Sequence, residues 1–239
     1  MINLLVSPAA LASDDEVEVE GAAYRHLFRV RRLRCGDRVR LVDGEGRARF
    51  SVVAEVGRTR AALCLAEPAP SGEPDVHLTV AAGALRPERA SWLVEKTTEV
   101  GVSSILWYHS ERSRRTYGSG TLDRLERVAR AAVQQCGRSR IPAIEGMVEW
   151  SGVLERVAGC DALLLDPPAD ASGGGGSVLD ARRASRLLLV VGPEGGFTTE
   201  ERSELGRRGA RAWSLGPRTL RVESAAVVGS ALLLLSGSP

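Results

Sequence analysis

The sequence predicts an α/β protein in which a small β-barrel domain precedes a larger domain built on a mostly parallel sheet. Residues 1–70 contain short alternating strands joined by tight turns, as in small barrels. Residues 67–75 are rich in proline and glycine, which is typical of a linker. After the linker, apolar strands alternate with helical patterns, as in parallel α/β sheets. We therefore expect domains at 1–70 and 76–239.

In the first domain, Asp37–Gly46 alternates polar and apolar residues and ends in turn residues, and Ala48–Val56 alternates again. The two segments predict a hairpin, and Thr59–Ala66 predicts a third strand. In the second domain the pattern predicts nine elements. The strands are His77–Ala82, Ile105–Tyr108, Ala162–Leu165, Leu187–Val191 and Ala212–Leu215, and the helices are Arg86–Val100, Leu122–Cys136, Glu200–Arg208 and Val222–Leu235.

Composition narrows the class of protein. The 239 residues are 44% hydrophobic with a net charge of +2, so charge alone does not require a nucleic-acid partner. Lys96 is the only lysine among 32 basic residues. A GC-rich genome accounts for most of this bias, although arginine also binds phosphates and stacks on bases better than lysine does.

Targeting and metal signals are missing from the sequence. The four cysteines lie far apart without metal-ligand spacing, so we expect no metal and reduced thiols. The N-terminus lacks the positive region of a signal peptide, and the apolar run Ala225–Leu235 is too short to cross a bilayer. We expect a cytoplasmic protein without a membrane contact. The glycine run in Ser172–Ser177 lacks the context of a phosphate-binding loop and indicates a surface loop.

Three turns follow apolar strands of the second domain: Asp166–Pro168, Gly192–Phe197 and Gly216–Arg218. Ligands of open α/β sheets bind at the carboxyl ends of strands, and glycine allows the main chain to approach a ligand closely. Each turn alone could be a plain connection between elements. Together the three turns favour a shared pocket for a small molecule.

The same turns carry a resemblance to a known family. Gly192–Phe197 and Leu215–Arg221 resemble the signature of SPOUT-class methyltransferases, and in detail the ribosomal RNA small subunit methyltransferase E family. Most of the chain takes part in the resemblance. Further similar segments are His26–Arg32, Glu95–Val102, Glu111–Ser113 and Gln134–Arg138, the last with Gln134 where the family usually has Glu.

The resemblance implies a PUA-like, RNA-binding barrel followed by a SPOUT domain with a trefoil knot. It also implies a homodimer that uses S-adenosylmethionine to methylate N3 of a uridine in 16S rRNA of the small ribosomal subunit. We expect mostly backbone contacts to this cofactor, and expect a valine at Gly195 to fill its pocket. The candidate cofactor-binding residues are Leu165, Asp166, Gly192, Pro193, Glu194, Gly195, Gly196, Leu215, Gly216 and Leu220.

Methylation at N3 requires loss of a weakly acidic imide proton, so the site needs a cation and a proton acceptor. Arg221 is the candidate cation near a base oxygen. Glu194 or Glu223 could accept the proton or hold Arg221, although a salt bridge or a helix N-terminus would also explain either glutamate. The family usually has threonine where this chain has Ser224, and we expect the serine hydroxyl to cap the last helix.

A dense run of arginines between residues 25 and 40 predicts a surface for RNA phosphates, with a solvated helix face as the alternative. The candidate RNA-binding residues are Arg25, His26, Arg29, Arg31, Arg32 and Arg34, with Arg38 and Arg40 in the same run. Arg112, Arg114, Arg115 and Arg138 could extend the surface.

Three other functions remain to be weighed. A SPOUT methyltransferase for another RNA is disfavoured because the resemblance extends through the N-terminal segment. A non-catalytic ribosome-assembly factor is disfavoured because the two signature turns are intact. An oxidoreductase that binds a dinucleotide would need a GxGxxG turn, which the sequence lacks.

Overall fold

The computed structural model describes residues 2–13, 16–113, 115–166 and 185–235. The chain divides into two units, Met1–Glu73 with Val133–Ile141, and Pro74–Ala132 with Pro142–Pro239. Arg114 and the glycine run in Ser172–Ser177 lie outside the described residues. The segment Val133–Ile141 falls inside the range 76–239 that the sequence assigns to the second domain, and that domain division stays a prediction.

The first unit is a five-stranded sheet with order β1-β3-β4-β5-β2. Its elements are β1 (Ile2–Leu5), α1 (Pro8–Ala12), β2 (Glu16–Glu20), α2 (Gly21–Tyr24), a π-helical turn (Arg25–Val30), β3 (Arg38–Val42), β4 (Ala48–Val56) and β5 (Arg60–Pro68). The predicted hairpin is confirmed, because β3 pairs antiparallel with β4. The predicted third strand is confirmed as β5. Leu27 and Phe28 of the π-helical turn are buried in the same core as Val39, Leu41 and Leu63.

Buried charges hold the segment Val133–Ile141 within this unit. Arg138 donates to Glu73 from Nη2 at 2.6 Å, and the Glu73 carboxylate also accepts from the backbone N–H of Ser139 and of Arg140, both at 2.9 Å. Arg40 is buried and donates to the carbonyl oxygens of Gly137 and Ser71, both at 3.0 Å. These bonds occupy two arginines that the sequence analysis associated with RNA.

The second unit contains a six-stranded, entirely parallel sheet with order β11-β9-β10-β6-β7-β8. Its elements are β6 (His77–Gly83), α3 (Pro87–Val100), β7 (Ser104–Tyr108), α4 (Ser119–Cys136, whose last turn belongs to the first unit), β8 (Ala143–Val148), α5 (Trp150–Ala158), β9 (Asp161–Leu165), β10 (Arg186–Val191), α6 (Thr199–Arg207), β11 (Arg211–Trp213) and α7 (Val222–Leu234). The predicted fold class is confirmed. The knot stays a prediction, because residues 167–184 lie outside the described ranges.

All nine predicted elements of this unit are present, although β11 ends at Trp213 rather than Leu215. The sequence analysis missed β8 and α5. Strand β8 is only partly buried and contains Glu145 and Gly146, so it lacks the apolar run that marks β9 and β10. Trp107 and Trp213 are buried, whereas Trp92 is 41% exposed.

Local sequence explains where the helices begin and end. Helix α3 begins with Pro87 and ends before Gly101, whose φ of 108° suits glycine. Helix α6 begins with a capping box between Thr198 and Glu201. The expectation that Ser224 caps α7 is wrong, because the helix begins at Val222 and its N-cap is Arg221, which makes no side-chain capping bond.

Helix α7 packs against α3, β6 and β10. Gly229 allows this close packing, because a Cβ there would lie 3.0 Å from Leu165 Cδ1 and from Leu189 Cδ2. Among the described residues, no helix combines the length and apolar character that crossing a membrane requires.

We expect Glu73→Gln to destabilise the first unit by about 3 kcal/mol, because it leaves the buried Arg138 guanidinium without its anion. Arg138 is only 4% exposed at its side chain. Urea unfolding measures the change. Glu67→Gln is the matched control, since its partner Arg38 is exposed, and it should have a much smaller effect. Equal effects of the two substitutions would contradict the structural role of Glu73.

Candidate functional site

The cavity at the carboxyl edge of the parallel sheet is the candidate functional site. Strands β11, β9 and β10 are neighbours, so Leu165 and Asp166 at the end of β9 lie beside the turns that follow β10 and β11; the rest of the predicted turn Asp166–Pro168 lies outside the described residues. Leu165, Asp166 and the two turns enclose a cavity of about 460 Å³. All ten residues that the sequence analysis proposed for cofactor binding line it: Leu165, Asp166, Gly192, Pro193, Glu194, Gly195, Gly196, Leu215, Gly216 and Leu220.

The turn after β10 is held by aromatic packing. Phe197 is buried against Trp150, and a Cβ at Gly192 would lie only 2.9 Å from the Phe197 ring. The Tyr108 hydroxyl donates to the Val191 carbonyl oxygen at 2.7 Å. Burial raises the pKa of the Tyr108 phenol well above its usual range, so the phenol remains a hydrogen-bond donor. These contacts fix the position of the turn at the edge of the cavity.

Arg112 packs on the opposite side of this turn. Its Nη1 donates to the Gly195 carbonyl oxygen at 3.2 Å, and a Cβ at Gly195 would lie 3.1 Å from the Arg112 Cβ. A valine side chain at Gly195 would therefore meet Arg112 first, and the expectation that it fills the pocket stays a prediction. Tyr117 belongs to the same loop as Arg112, between β7 and α4. Its hydroxyl is bonded to the backbone N–H and the carbonyl oxygen of Leu85, and burial raises the pKa of Tyr117 to about 12.

The turn after β11 offers open backbone to the cavity. Gly216 has a φ of 108°, and its N–H donates to Ser214 Oγ at 3.2 Å. A Cβ built at Gly216 meets no atom within 4 Å, and the same is true at Gly196, whose φ is 71°. Space above these two glycines is therefore free for a ligand to approach the main chain.

Two carboxylates of the site share one guanidinium. Arg89 of α3 lines the cavity, and its Nη1 donates to Glu194 Oε1 at 2.7 Å. The Arg89 Nε lies 3.6 Å from Oε1 of Glu223, which is 8% exposed. Glu194 or Glu223 was expected to hold Arg221, but both glutamates are paired with Arg89 instead. Arg89 was not predicted from the sequence, although its place in the first turn of α3, the helix that follows β6, was a usable signal.

Arg221 is exposed at the cavity rim, and its guanidinium makes no hydrogen bond or ion pair within the described part of the chain. It precedes α7, where the helix N-terminus adds partial positive charge. Arg218 and Thr219 also line the cavity and are exposed. This side of the cavity therefore presents cations to solvent.

Asp166 closes another side of the cavity. Arg202 of α6 pairs with it through Nε, and Nη2 lies 3.2 Å from Asp166 Oδ1. The ion pair raises the pKa of Arg202 and occupies both carboxylate oxygens. Within the described ranges, no group of three or more His, Cys, Asp or Glu side chains could hold a metal ion.

Six of the candidate RNA-binding residues lie together on the surface of the first unit. The π-helical turn and the loop after it contain all six, each exposed: Arg25, His26, Arg29, Arg31, Arg32 and Arg34. Arg32 has a φ of 59°, a conformation that is uncommon outside glycine. Arg29 donates to the Arg58 carbonyl oxygen at 2.9 Å. The other four arginines of this group are exposed to solvent.

Two predicted RNA contacts have a different environment. Arg138 is 3% exposed and paired with Glu73, and Arg40 is 7% exposed, so neither guanidinium is available at the surface. We therefore do not count Arg40 or Arg138 among the arginines that could bind RNA. Arg38 pairs with Glu67 and lies over the Phe50 ring. Arg112 and Arg115 are exposed in the second unit.

Comparison with known proteins agrees with this architecture. Residues 72–234 match the family of the RNA methyltransferase domain, and residues 19–63 match the RNA methyltransferase PUA domain. The chain is 34% identical over 223 residues to ribosomal RNA small subunit methyltransferase E of Mycobacterium bovis, covering 88% of this chain and 82% of that protein. The Bacillus subtilis protein of the same name is 24% identical over 217 residues, covering 87% of this chain and 85% of that protein.

Solved structures share the fold. A probable rRNA methyltransferase from Porphyromonas gingivalis superposes with a TM-score of 0.80 at 27% identity, covering 96% of this chain and 95% of that chain. Ribosomal RNA small subunit methyltransferase E from Neisseria gonorrhoeae, solved with bound S-adenosyl methionine, gives a TM-score of 0.79 at 23% identity, covering 97% and 95%.

Proposed function

This chain belongs to the ribosomal RNA small subunit methyltransferase E family, and we propose that it transfers a methyl group from S-adenosylmethionine to N3 of a uridine in 16S rRNA. The observation that carries the proposal is the cavity that Leu165 and Asp166 at the end of β9 form with the turns after β10 and β11. Methylation of this kind is a step of ribosome maturation, and we propose that the protein acts in the cytoplasm.

The cavity fits the proposed cofactor. Its volume of about 460 Å³ lies within the range of about 300–1,000 Å³ that is usual for ligand pockets. Leu165, Leu215 and Leu220 offer apolar surface for the adenine ring and the methionine chain, and the main chain at Gly196 and Gly216 is free to bond polar edges. S-Adenosylmethionine supplies an electrophilic methyl group on its sulfonium when bound.

The side chains around the cavity suit attack by a uridine nitrogen. Loss of the N3 proton places negative charge on the base oxygens, and the exposed guanidinium of Arg221 can stabilise that charge. Glu194 lines the cavity and its Oε2 can accept the proton, because only Oε1 is bonded to Arg89. Glu223 does not line the cavity, so we assign it a supporting role.

We propose that the exposed arginines of the first unit bind the phosphates of the same RNA. Arg25, Arg31 and Arg34 lie within ten residues of each other, and the nearby Asp37 accepts a hydrogen bond from the Arg34 backbone N–H rather than from a guanidinium. Arg112 of the second unit remains a further candidate contact. The partner is 16S rRNA, either free or within the small ribosomal subunit.

We also propose a homodimer, with α7 contributing to the interface. One face of α7 is buried within the second unit, whereas Val228, Leu232 and Leu235 on the other face are 41%, 41% and 57% exposed. Trp92 of the adjoining α3 is 41% exposed as well. Large apolar side chains concentrated on two packed helices are typical of a protein interface. Association with a second copy would cover them.

The proposed reaction is tested by incubating the protein with methyl-labelled S-adenosylmethionine and small ribosomal subunits that lack the modification. Mass spectrometry of the digested rRNA should identify the labelled nucleoside as N3-methyluridine. A parallel incubation with naked 16S rRNA shows which form is the substrate. Label on a different nucleoside would overturn the proposed position, and label only on another RNA would overturn the proposed substrate.

Gly216→Val should weaken S-adenosylmethionine binding by at least about tenfold, because the side chain would project into the space above the turn. Gly209→Val is the matched control. Gly209 also has a positive φ, 99°, and open space at its Cβ, but it lies outside the cavity lining. Isothermal titration calorimetry compares both variants with the natural protein. Equal losses of affinity would attribute the effect to backbone strain instead of the cavity.

Arg221→Gln should lower the single-turnover rate about 100-fold with cofactor saturated, because the developing charge on the base loses its cation. Arg208→Gln removes an exposed arginine at the end of α6 and should leave the rate unchanged. Rapid-quench measurement of methylated RNA gives both rates. A normal rate for Arg221→Gln would remove this residue from the mechanism.

Replacing Arg25, Arg31 and Arg34 with glutamine should reduce the salt dependence of RNA binding. Each lost phosphate contact lowers the slope of log affinity against log salt by about 0.7–0.9, so three contacts change it by about 2. A triple variant at Arg207, Arg208 and Arg211 removes the same charge elsewhere. Filter-binding titrations at several salt concentrations measure the slopes, and an unchanged slope would count against the surface.

A further inference from the structure

Arg89 occupies a position that connects three elements of the site. Its guanidinium donates from Nη1 to Glu194 Oε1 at 2.7 Å and places Nε 3.6 Å from Glu223 Oε1. Arg89 belongs to α3, Glu194 to the turn after β10, and Glu223 to the first turn of α7. One side chain therefore joins three segments that are distant in sequence.

The charges around Arg89 do not balance. Two carboxylates share one guanidinium, and Glu223 is 8% exposed. Its Oε2 is buried without a hydrogen-bond partner among the described residues. A buried carboxylate is tolerated only with a nearby cation or strong donors. Arg89 and the N-terminus of α7 are the positive groups available to it.

The exposure of Arg89, Glu194 and Glu223 indicates how each side chain contributes to the site. Arg89 is 33% exposed and Glu194 41%, so both reach the cavity, whereas the side chain of Glu223 is only 10% exposed. Glu223 therefore anchors Arg89 from the interior, and Arg89 in turn restricts Glu194 at the cavity rim. Fixing a flexible glutamate in this way favours proton acceptance, since orientation contributes strongly to rate.

We propose that Arg89 is a positioning residue, which is held by the buried Glu223 and which orients Glu194 to accept the uridine proton. This inference rests on the proposed function. Arg89 forks between two carboxylates, and a lysine, with a single point charge, cannot reproduce that geometry. The orientation of Glu194 thus depends on Arg89, and the position of Arg89 depends on Glu223.

A double-mutant cycle tests the dependence of Glu194 on Arg89. Arg89→Gln should lower kcat about tenfold or more, with KM for RNA and for S-adenosylmethionine within about twofold of normal. Arg89→Lys should have an intermediate kcat. In the Glu194→Gln background, Arg89→Gln should lower kcat by less than about threefold, because its target is already gone. Arg86→Gln, an exposed arginine just before α3, is the control and should not change kcat.

Thermal unfolding tests the Glu223 link without any activity. Arg89→Gln should lower Tm by about 4 °C, and Glu223→Gln should restore most of the loss in that background, because it removes the uncompensated buried charge. Independent, multiplying effects in the kinetic cycle, a change in the KM for RNA alone, or no rescue of Tm would overturn the inference. If the natural protein methylated no RNA, the proposed function would fail, and the unfolding cycle would still decide whether Arg89 is anchored by Glu223.

Discussion

The parallel pairing of β9 with both β10 and β11 is the constraint on which the site depends. Parallel neighbours end at the same edge of a sheet, so Asp166 at the end of β9 lies near the turns that follow Val191 and Trp213. Strands β9 and β10 are apolar and buried after their first residue, which fixes this edge firmly. A binding cavity then requires only turns whose main chain is accessible to a ligand, and Gly196 and Gly216 make the main chain of the two turns accessible.

Charge around the cavity follows from the same geometry. Helices α3 and α7 both begin near this edge, which is how Arg89 reaches Glu194 and Glu223. Arg221, by contrast, has no bonded partner within the described residues and stays at the rim. The guanidinium of Arg89 thus binds two carboxylates, while the guanidinium of Arg221 is available to a substrate. In the proposed reaction, this division assigns removal of the proton to Glu194 and stabilisation of the resulting anion to Arg221.

The sequence predicted the cavity residues well because they lie at strand ends or in the turns that come after them, and both are local signals. It did not predict Arg89, whose importance depends on contacts with residues more than 100 positions away. Arg40 and Arg138 were misjudged for a related reason. Their place in an arginine-rich run and in a family motif could not indicate that bonds to carbonyl oxygens and to Glu73 bury them. The partly polar strand β8 was missed because periodicity identifies only elements with an apolar face.

The most direct test of the account is a crystal structure of the protein with S-adenosylhomocysteine, the product form of the proposed cofactor. We predict that the ligand lies in the cavity between the turn 192–197 and the turn 215–221, with its adenine bonded to main-chain atoms and its sulfur facing the side of Glu194 and Arg221. A ligand bound at another place, or an adenine held by side chains away from these two turns, would contradict the assignment of this cavity.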